Sequence, residues 1–175
     1  MDIRLLDPGH AKEWWQLRLE ALETEPDAFG SAPEDHRKLG AEEIAARLRP
    51  VEQGNFVYGA FAGGMLSGMA GFRRDESTKG RHRGNLWGVY VAASLRGKGV
   101  ARGLVKAVIA RAKAYPGLEH ITLTVSVPQD PARKLYESLG FRSWGREPCA
   151  LKVGDNYVDE YHMVLDLRQP PPPGR

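Results

Sequence analysis

The feature that most constrains this chain is a strand that runs into a glycine-rich turn and straight on into a helix. The segment reads Val89-Tyr90-Val91-Ala92-Ala93-Ser94-Leu95-Arg96-Gly97-Lys98-Gly99-Val100-Ala101-Arg102-Gly103-Leu104. Leu104, Val108 and Ala112 then mark one face of a long helix over Val100 to Tyr115, closed by Pro116-Gly117. His120 to Val127 is β-branched and partly alternating, so a second strand follows. Strand, helix and strand in that order form a crossover, and a crossover joins parallel neighbours. The interior of the sheet therefore holds a parallel pair, with the glycine turn at the end of its first strand.

The flanking chain supplies antiparallel elements. Asp2 to Leu6 is a short strand stopped by Asp7-Pro8-Gly9. Ala11 to Glu23 is an amphipathic helix with Trp14, Leu17 and Ala21 on one apolar line and Trp15, Leu19 and Leu22 on a second. Ala41 to Leu48 is a second helix, ended by Pro50. Asn55 to Ala62 and Met65 to Arg73 are strands joined at Gly63-Gly64, a hairpin dipeptide, and Asn85 to Val91 opens the crossover. Pro131 to Leu139 is a helix with proline in its first turn, and Gly140 follows as its C-cap. Phe141 to Arg146 and Tyr157 to Leu167 are the last strands, with Gly154-Asp155-Asn156 as the turn before the second. The order β-α-α-β-β-β-α-β-α-β-β gives a mixed α/β (α+β) domain. Its sheet is expected to be twisted and mostly antiparallel, of about seven strands around a central parallel pair, with about four helices beside it. Residues 1–168 are expected to form this single domain, and 169–175 a Pro-rich flexible tail.

Glycines let backbone N–H groups approach a bulky anion with no Cβ in the way. A helix start adds unpaired donors and a partial positive charge. Phosphate or pyrophosphate is the natural guest, and Arg96, Lys98 and Arg102 add formal charge around it. A P-loop needs Gly-Lys followed by Ser or Thr, whereas Lys98 is followed by Gly99 and Val100. A dinucleotide fold wants a series of strand–helix units, and only one crossover is present. The remaining pattern, Arg-x-x-Gly-x-Ala, is met from Arg96 to Ala101.

Downstream lies Ala132-Arg133-Lys134-Leu135-Tyr136-Glu137-Ser138-Leu139-Gly140-Phe141. Together with the glycine turn, at this order and spacing, the stretch resembles the two central motifs of the GNAT superfamily of N-acetyltransferases, over about Asn85 to Phe141. The resemblance implies that acetyl-CoA is the co-substrate and that the sheet splays to receive its pantetheine arm. The arm would lie along Val89, Tyr90 and Val91. Backbone amides of Arg96, Gly97, Lys98, Gly99, Val100 and Ala101 would hold the pyrophosphate, with Arg102, Gln129 and Arg133 nearby. Tyr136 would act as general acid toward the departing sulfur, a role suited to a phenol that stays protonated at neutral pH.

The base that frees the acceptor amine is less legible. Many relatives carry a carboxylate where Asn85 stands, and an amide positions water without taking its proton. Ala93 also departs from a frequent proline, and Gln129 from a frequent asparagine. Asp159, Glu160 and His162 on the last strand are substitutes, unless that strand is an edge with a solvated polar face. Glu25, Asp27 and Phe29 in the acidic stretch Glu23 to Gly30 could receive a cationic amine, with Asp159 beside them.

Other classes find little support. With one cysteine, Cys149, the chain can form no internal disulfide. The five histidines show no metal-ligand spacing, so no metal is expected. The net charge of +3 is too mild for nucleic acid, and the basic run from Lys79 to Arg83 reads as a loop. No apolar run reaches the roughly 18 residues of a membrane span, and no signal peptide is read at the start, so a cytoplasmic location is expected. Exposed edge strands allow a homodimer. The alternative to an enzyme is a non-catalytic acyl-CoA-binding sensor.

Overall fold

The crossover around the glycine turn organises the computed structural model, which describes residues 1–168. The tail expected over 169–175 lies outside the described residues. Among those described, the strands are β1 (Asp2–Leu5), β2 (Phe56–Ala62), β3 (Met65–Arg74), β4 (Arg83–Val91), β5 (His120–Ser126), β6 (Arg142–Val153) and β7 (Asn156–Asp166). The helices are α1 (Ala11–Thr24), α2 (Pro33–Arg37), α3 (Ala41–Leu48), α4 (Val100–Lys113) and α5 (Asp130–Ser138). The short α2 goes beyond the about four helices expected. Five residues are too few to show a 3.6-residue period, so nothing in the hydrophobic pattern announces it.

The strands form one 7-stranded sheet in the order β1-β2-β3-β4-β5-β7-β6. Among the described strands only β4 and β5 run parallel, paired at Arg83–His120, Gly84–Ile121 and Asn85–Thr122. Beyond Asn85 the two strands separate. β7 lies between β5 and β6, so the last strand is interior and β6 forms the edge. β6 also runs on past Arg146 to Val153, with register breaks between Ser143 and Gly145 and between Glu147 and Leu151. Pro148 has no N–H for the ladder, and Cys149 turns to φ 53 there, which hides the strand from a simple alternation. No helix among the described residues is long and apolar enough to cross a membrane.

Each face of the sheet carries a core. On one, Leu104, Val105, Val108 and Ala112 of α4 pack with Phe56, Ala60, Ala70 and Phe72. On the other, Trp14, Leu17 and Ala21 of α1 join Ile44 and Leu48 of α3 over Val57, Phe61 and Met69. The buried face of α1 comprises Trp14, Leu17, Arg18, Ala21 and Leu22. Trp15 and Leu19 of the second expected line are only half-buried. A bulge in β4 then exchanges its faces. Met69 pairs Tyr90 and Gly71 pairs Trp87, so β4 spends one more residue than β3, with Gly88 at φ 63. An extra residue inverts the alternation that follows. Trp87 and Tyr90, three apart, consequently both face α1.

Gly71 on β3 lies directly under the Trp87 indole. A Cβ there would sit 2.3 Å from Trp87 Cε2, a contact the ring can relieve only by moving. Gly71→Ala is therefore expected to lower unfolding free energy by about 1–3 kcal/mol, the usual range for overpacking. Urea denaturation with an unchanged slope checks this. Wild-type stability in the variant would show that the indole has room to shift.

Candidate functional site

Once β4 and β5 part, the β5-facing side of β4 from Leu86 onward has no strand partner on that side. A groove of about 490 Å³ follows this side of the strand and continues onto the glycine turn. Val89, Tyr90, Val91, Arg96, Gly97, Gly99, Val100, Ala101, Arg102, Gln129 and Tyr136 all line it. Gly97 and Gly99 adopt φ 74 and 78, and a Cβ on either would meet nothing within 4 Å. Positive φ explains why glycine is needed, and the open space explains what the turn leaves room for. Gly99 is the N-cap of α4 and no side chain caps that helix, so its first amides are available to an anion.

The charged groups around the turn are already partly engaged. Arg96 donates from Nε to the Val91 carbonyl at 3.1 Å and pairs with Glu25 at 2.8 Å. Its guanidinium lies 5.6 Å from the Tyr90 ring centre. The hydrogen bond to Glu25 raises the Arg96 pKa, burial opposes it, and the Glu25 charge adds to the rise. Arg102 donates to Ser138 Oγ at 2.8 Å, which ties the start of α4 to the end of α5. Lys98 donates to the Ser94 carbonyl at 3.0 Å and is exposed.

A second cavity of about 270 Å³ opens between the parted strands, and Asn85, Glu160, Gln129, Phe29 and Tyr136 line it. Phe29, Val89, Gln129, Ala132 and Tyr136 line the groove as well, so they form a shared wall. Tyr136 is 7% exposed, held edge-on against Phe141 at 5.9 Å between ring centres. Burial pushes its phenol well above the ordinary value, so it holds its proton firmly. The register of β7 on β5 brings Glu160 opposite Ser126, at the chamber end of the sheet. Burial raises the Glu160 pKa, with His162 opposing and Glu147 adding to the shift. Asn85 donates from Nδ2 to the Thr122 carbonyl at 3.2 Å, and so staples the last parallel rung before the strands diverge.

Several of the residues expected at the site lie elsewhere. Arg133 is engaged by Asp130 at 2.6 Å and Glu137 at 2.5 Å on its own helix and borders neither cavity. Asp159 takes the Cys149 N–H at 2.8 Å and Arg146 at 2.7 Å, filling the bulge of β6. Those bonds hold its carboxyl below the usual range, the Cys149 amide first and Arg146 second. Glu25 borders the groove, against the turn, and not the chamber. Lys98 borders neither cavity.

Arg18 was absent from the residues singled out, yet it lines the chamber and is 7% exposed. The signal was present: Arg18 stands four residues from both Trp14 and Leu22, within the buried stripe of α1. A helix face dominated by tryptophan and leucine masks one arginine in its midst.

The sequence model of the acetyltransferase (GNAT) family matches residues 13–141. The L-amino acid N-acetyltransferase AaaT of Escherichia coli is 35% identical over 79 residues, which cover 45% of this chain and 48% of that protein. The chain thus spans about half the length of that relative. Among solved structures, an acetyltransferase of the GNAT family from Streptococcus pneumoniae superposes with a TM-score of 0.83 at 25% identity, over 93% of this chain and 96% of its own. The yncA protein of Salmonella typhimurium, solved with its cofactor acetyl-CoA, superposes with a TM-score of 0.80 at 22% identity, over 99% of this chain and 97% of its own. The match to the family model runs from α1 through the parted strands and the glycine turn to Phe141, just past α5, and on it the chain belongs to the acetyltransferase (GNAT) family.

Proposed function

We propose that the chain transfers an acetyl group from acetyl-CoA directly to the amine of an acceptor held in the chamber, with Tyr136 as general acid and Glu160 as base. One observation carries the reading: the buried phenol of Tyr136, protonated at neutral pH, stands on the wall common to the groove and the chamber. A proton donor is needed at that junction alone, where a thiolate leaves on one side and an amine arrives from the other. The acetyl-CoA bound to the Salmonella neighbour supports the choice of donor.

The residues present suit that donor. The uncapped start of α4 and the glycines at positive φ fit a pyrophosphate, and unpaired β4 at Val89 and Val91 fits an extended amide-bearing arm. Acetyl-CoA supplies the thioester that is cleaved. The amine nitrogen attacks its carbonyl carbon, the carbon–sulfur bond breaks, Tyr136 protonates the sulfur, and Glu160 takes the proton the amine sheds. Asn85 holds the parted strands at their fork and acts through that geometry.

Calorimetric titration with acetyl-CoA, and with CoA beside it, is expected to give micromolar binding. Gly99→Glu, which adds a side chain at φ 78 and a negative charge where an anion would sit, is expected to abolish it. Absence of binding by the folded wild-type protein at millimolar ligand would overturn the reading.

Tyr136→Phe is expected to reduce kcat/KM by roughly 10²–10⁴-fold, the usual worth of a positioned acid. A loss within about twofold would remove Tyr136 from the chemistry.

The raised pKa of Glu160 sets the acidic limb of the pH profile. A base works deprotonated, so kcat/KM should rise with pH through a value above the ordinary 4.5 of a glutamate. Glu160→Gln should flatten that limb and lower the plateau; an unaltered profile would assign the proton to solvent.

A further inference from the structure

Two arginines of the protein are equally buried, at 7% exposure, and they are satisfied very differently. Arg74 donates to the Arg81 carbonyl and to the Pro116 carbonyl, each at 2.7 Å, which accounts for a structural arginine. Arg18 has no hydrogen-bond or ion-pair partner among the described residues, and its Nη1 is sealed from solvent unpaired. Its guanidinium stacks on Phe29 at 4.5 Å. A ring face attracts the charge but accepts none of the N–H groups in the guanidinium plane. Nη1 would lie 3.5 Å from a Cβ placed on Gly88, so the guanidinium occupies the room that the β4 bulge leaves open.

No carboxylate among the described residues pairs with Arg18. Burial and the nearby Arg47 push its pKa down to about 10, which leaves it charged at neutral pH. Of the described residues lining the chamber, Arg18 and Glu160 are the charged ones, set among apolar groups such as Leu86, Trp87 and Leu123. Burying a cation without its partner is among the more costly things a fold can do, and it persists where the partner arrives as a ligand.

We infer that the acceptor is a small amine that also carries a carboxylate, and that Arg18 grips this carboxylate in the chamber while the amine is presented toward Tyr136 and Glu160. The inference rests on the acetyltransfer reading and specifies its acceptor. A chamber of about 270 Å³ with one buried cation and one half-buried carboxylate suits a zwitterion of amino-acid size. A polyamine would bring two or more cations to a cavity that already holds one. The amino terminus of a protein chain would bring a neutral amide where the carboxylate belongs.

The test follows CoA release with acetyl-CoA and matched acceptor sets: the L-amino acids with β- and γ-amino acids, the corresponding amino-acid amides, and the corresponding decarboxylated amines. Wild type is expected to prefer at least one free acid over its amide and its decarboxylated amine by roughly 10²-fold or more in kcat/KM, as befits a buried charge-assisted contact. In Arg18→Met that ratio should collapse toward one. Arg18→Lys, a point charge without the fork, should restore part of it. Arg18 borders the chamber and not the groove, so acetyl-CoA affinity by calorimetry should hold in Arg18→Met. Its melting temperature should not fall, because the variant removes an unpaired buried charge. Equal use of amides or decarboxylated amines, preference retained in Arg18→Met, or acetyl-CoA binding with no turnover of any carboxylate-bearing amine would each overturn the inference and leave the donor site standing. Failure of the wild-type protein to bind acetyl-CoA would sink the acetyltransfer reading, and the inference with it.

Discussion

The parallel pairing of β4 with β5 lasts three rungs and then stops, and the arrangement of the site depends on that interruption. Were the pairing to continue, backbone groups along the β5-facing side of β4 would be consumed by the sheet, and no space would open beside Tyr136. Several features hold the fork in place. The Asn85 side chain ties its base to Thr122 at 3.2 Å. The bulge at Gly88 turns β4 so that Trp87 and Tyr90 both dock on the α1 side. β7, whose residues 160–166 pair with the whole length of β5, anchors the other prong. The sheet thus spends hydrogen bonds on either side of the gap and leaves the gap itself unpaired.

Helix α1 does more than cover one face. Tyr90 on β4 donates to Glu20 at 2.8 Å, and Glu25 just past the helix end reaches Arg96 in the glycine turn. The connection that follows is pinned by His36, which lies nearly parallel to Trp15 at 5.5 Å between ring centres and contacts the Trp15 carbonyl through Nε2 at 3.0 Å. Burial lowers the pKa of that histidine, which favours the neutral ring suited to an apolar niche. Through these contacts Phe29 is delivered to the junction of the two cavities from a stretch with little regular structure of its own.

Much of this architecture was legible in the sequence, for physical reasons that differ by element. The helix α4, the strand β5 and the glycine turn announce themselves because period and backbone freedom are local properties. The parallel pair followed from connectivity alone. What was not legible depends on partners distant in sequence. Nothing local shows that β7 inserts beside β5 and leaves β6 at the edge, since strand order is decided by packing. Asp159 looked available as an acceptor-binding acid until the bulge at Pro148 and Cys149 brought a backbone amide and Arg146 onto it. Glu25 looked like an acid for an amine, and the fold presents it to Arg96 across the turn. Arg18 was overlooked because periodicity sorts residues by their neighbours' hydrophobicity. A cation inside an apolar stripe is recognised only when the absence of a counter-charge can be seen in three dimensions.

The wall shared by the groove and the chamber makes the two spaces a single resource. Phe29, Val89, Gln129, Ala132 and Tyr136 border both, so the two spaces meet at the same side chains. Any group that extends from the groove past Tyr136 occupies volume the chamber would otherwise offer. Acyl length on one side and molecular bulk on the other are then competing dimensions of one vessel. On the acetyltransfer reading, a substitution at Phe29 or Ala132 would change the room for both reactants at once, so selectivity on either side would not be tuned alone.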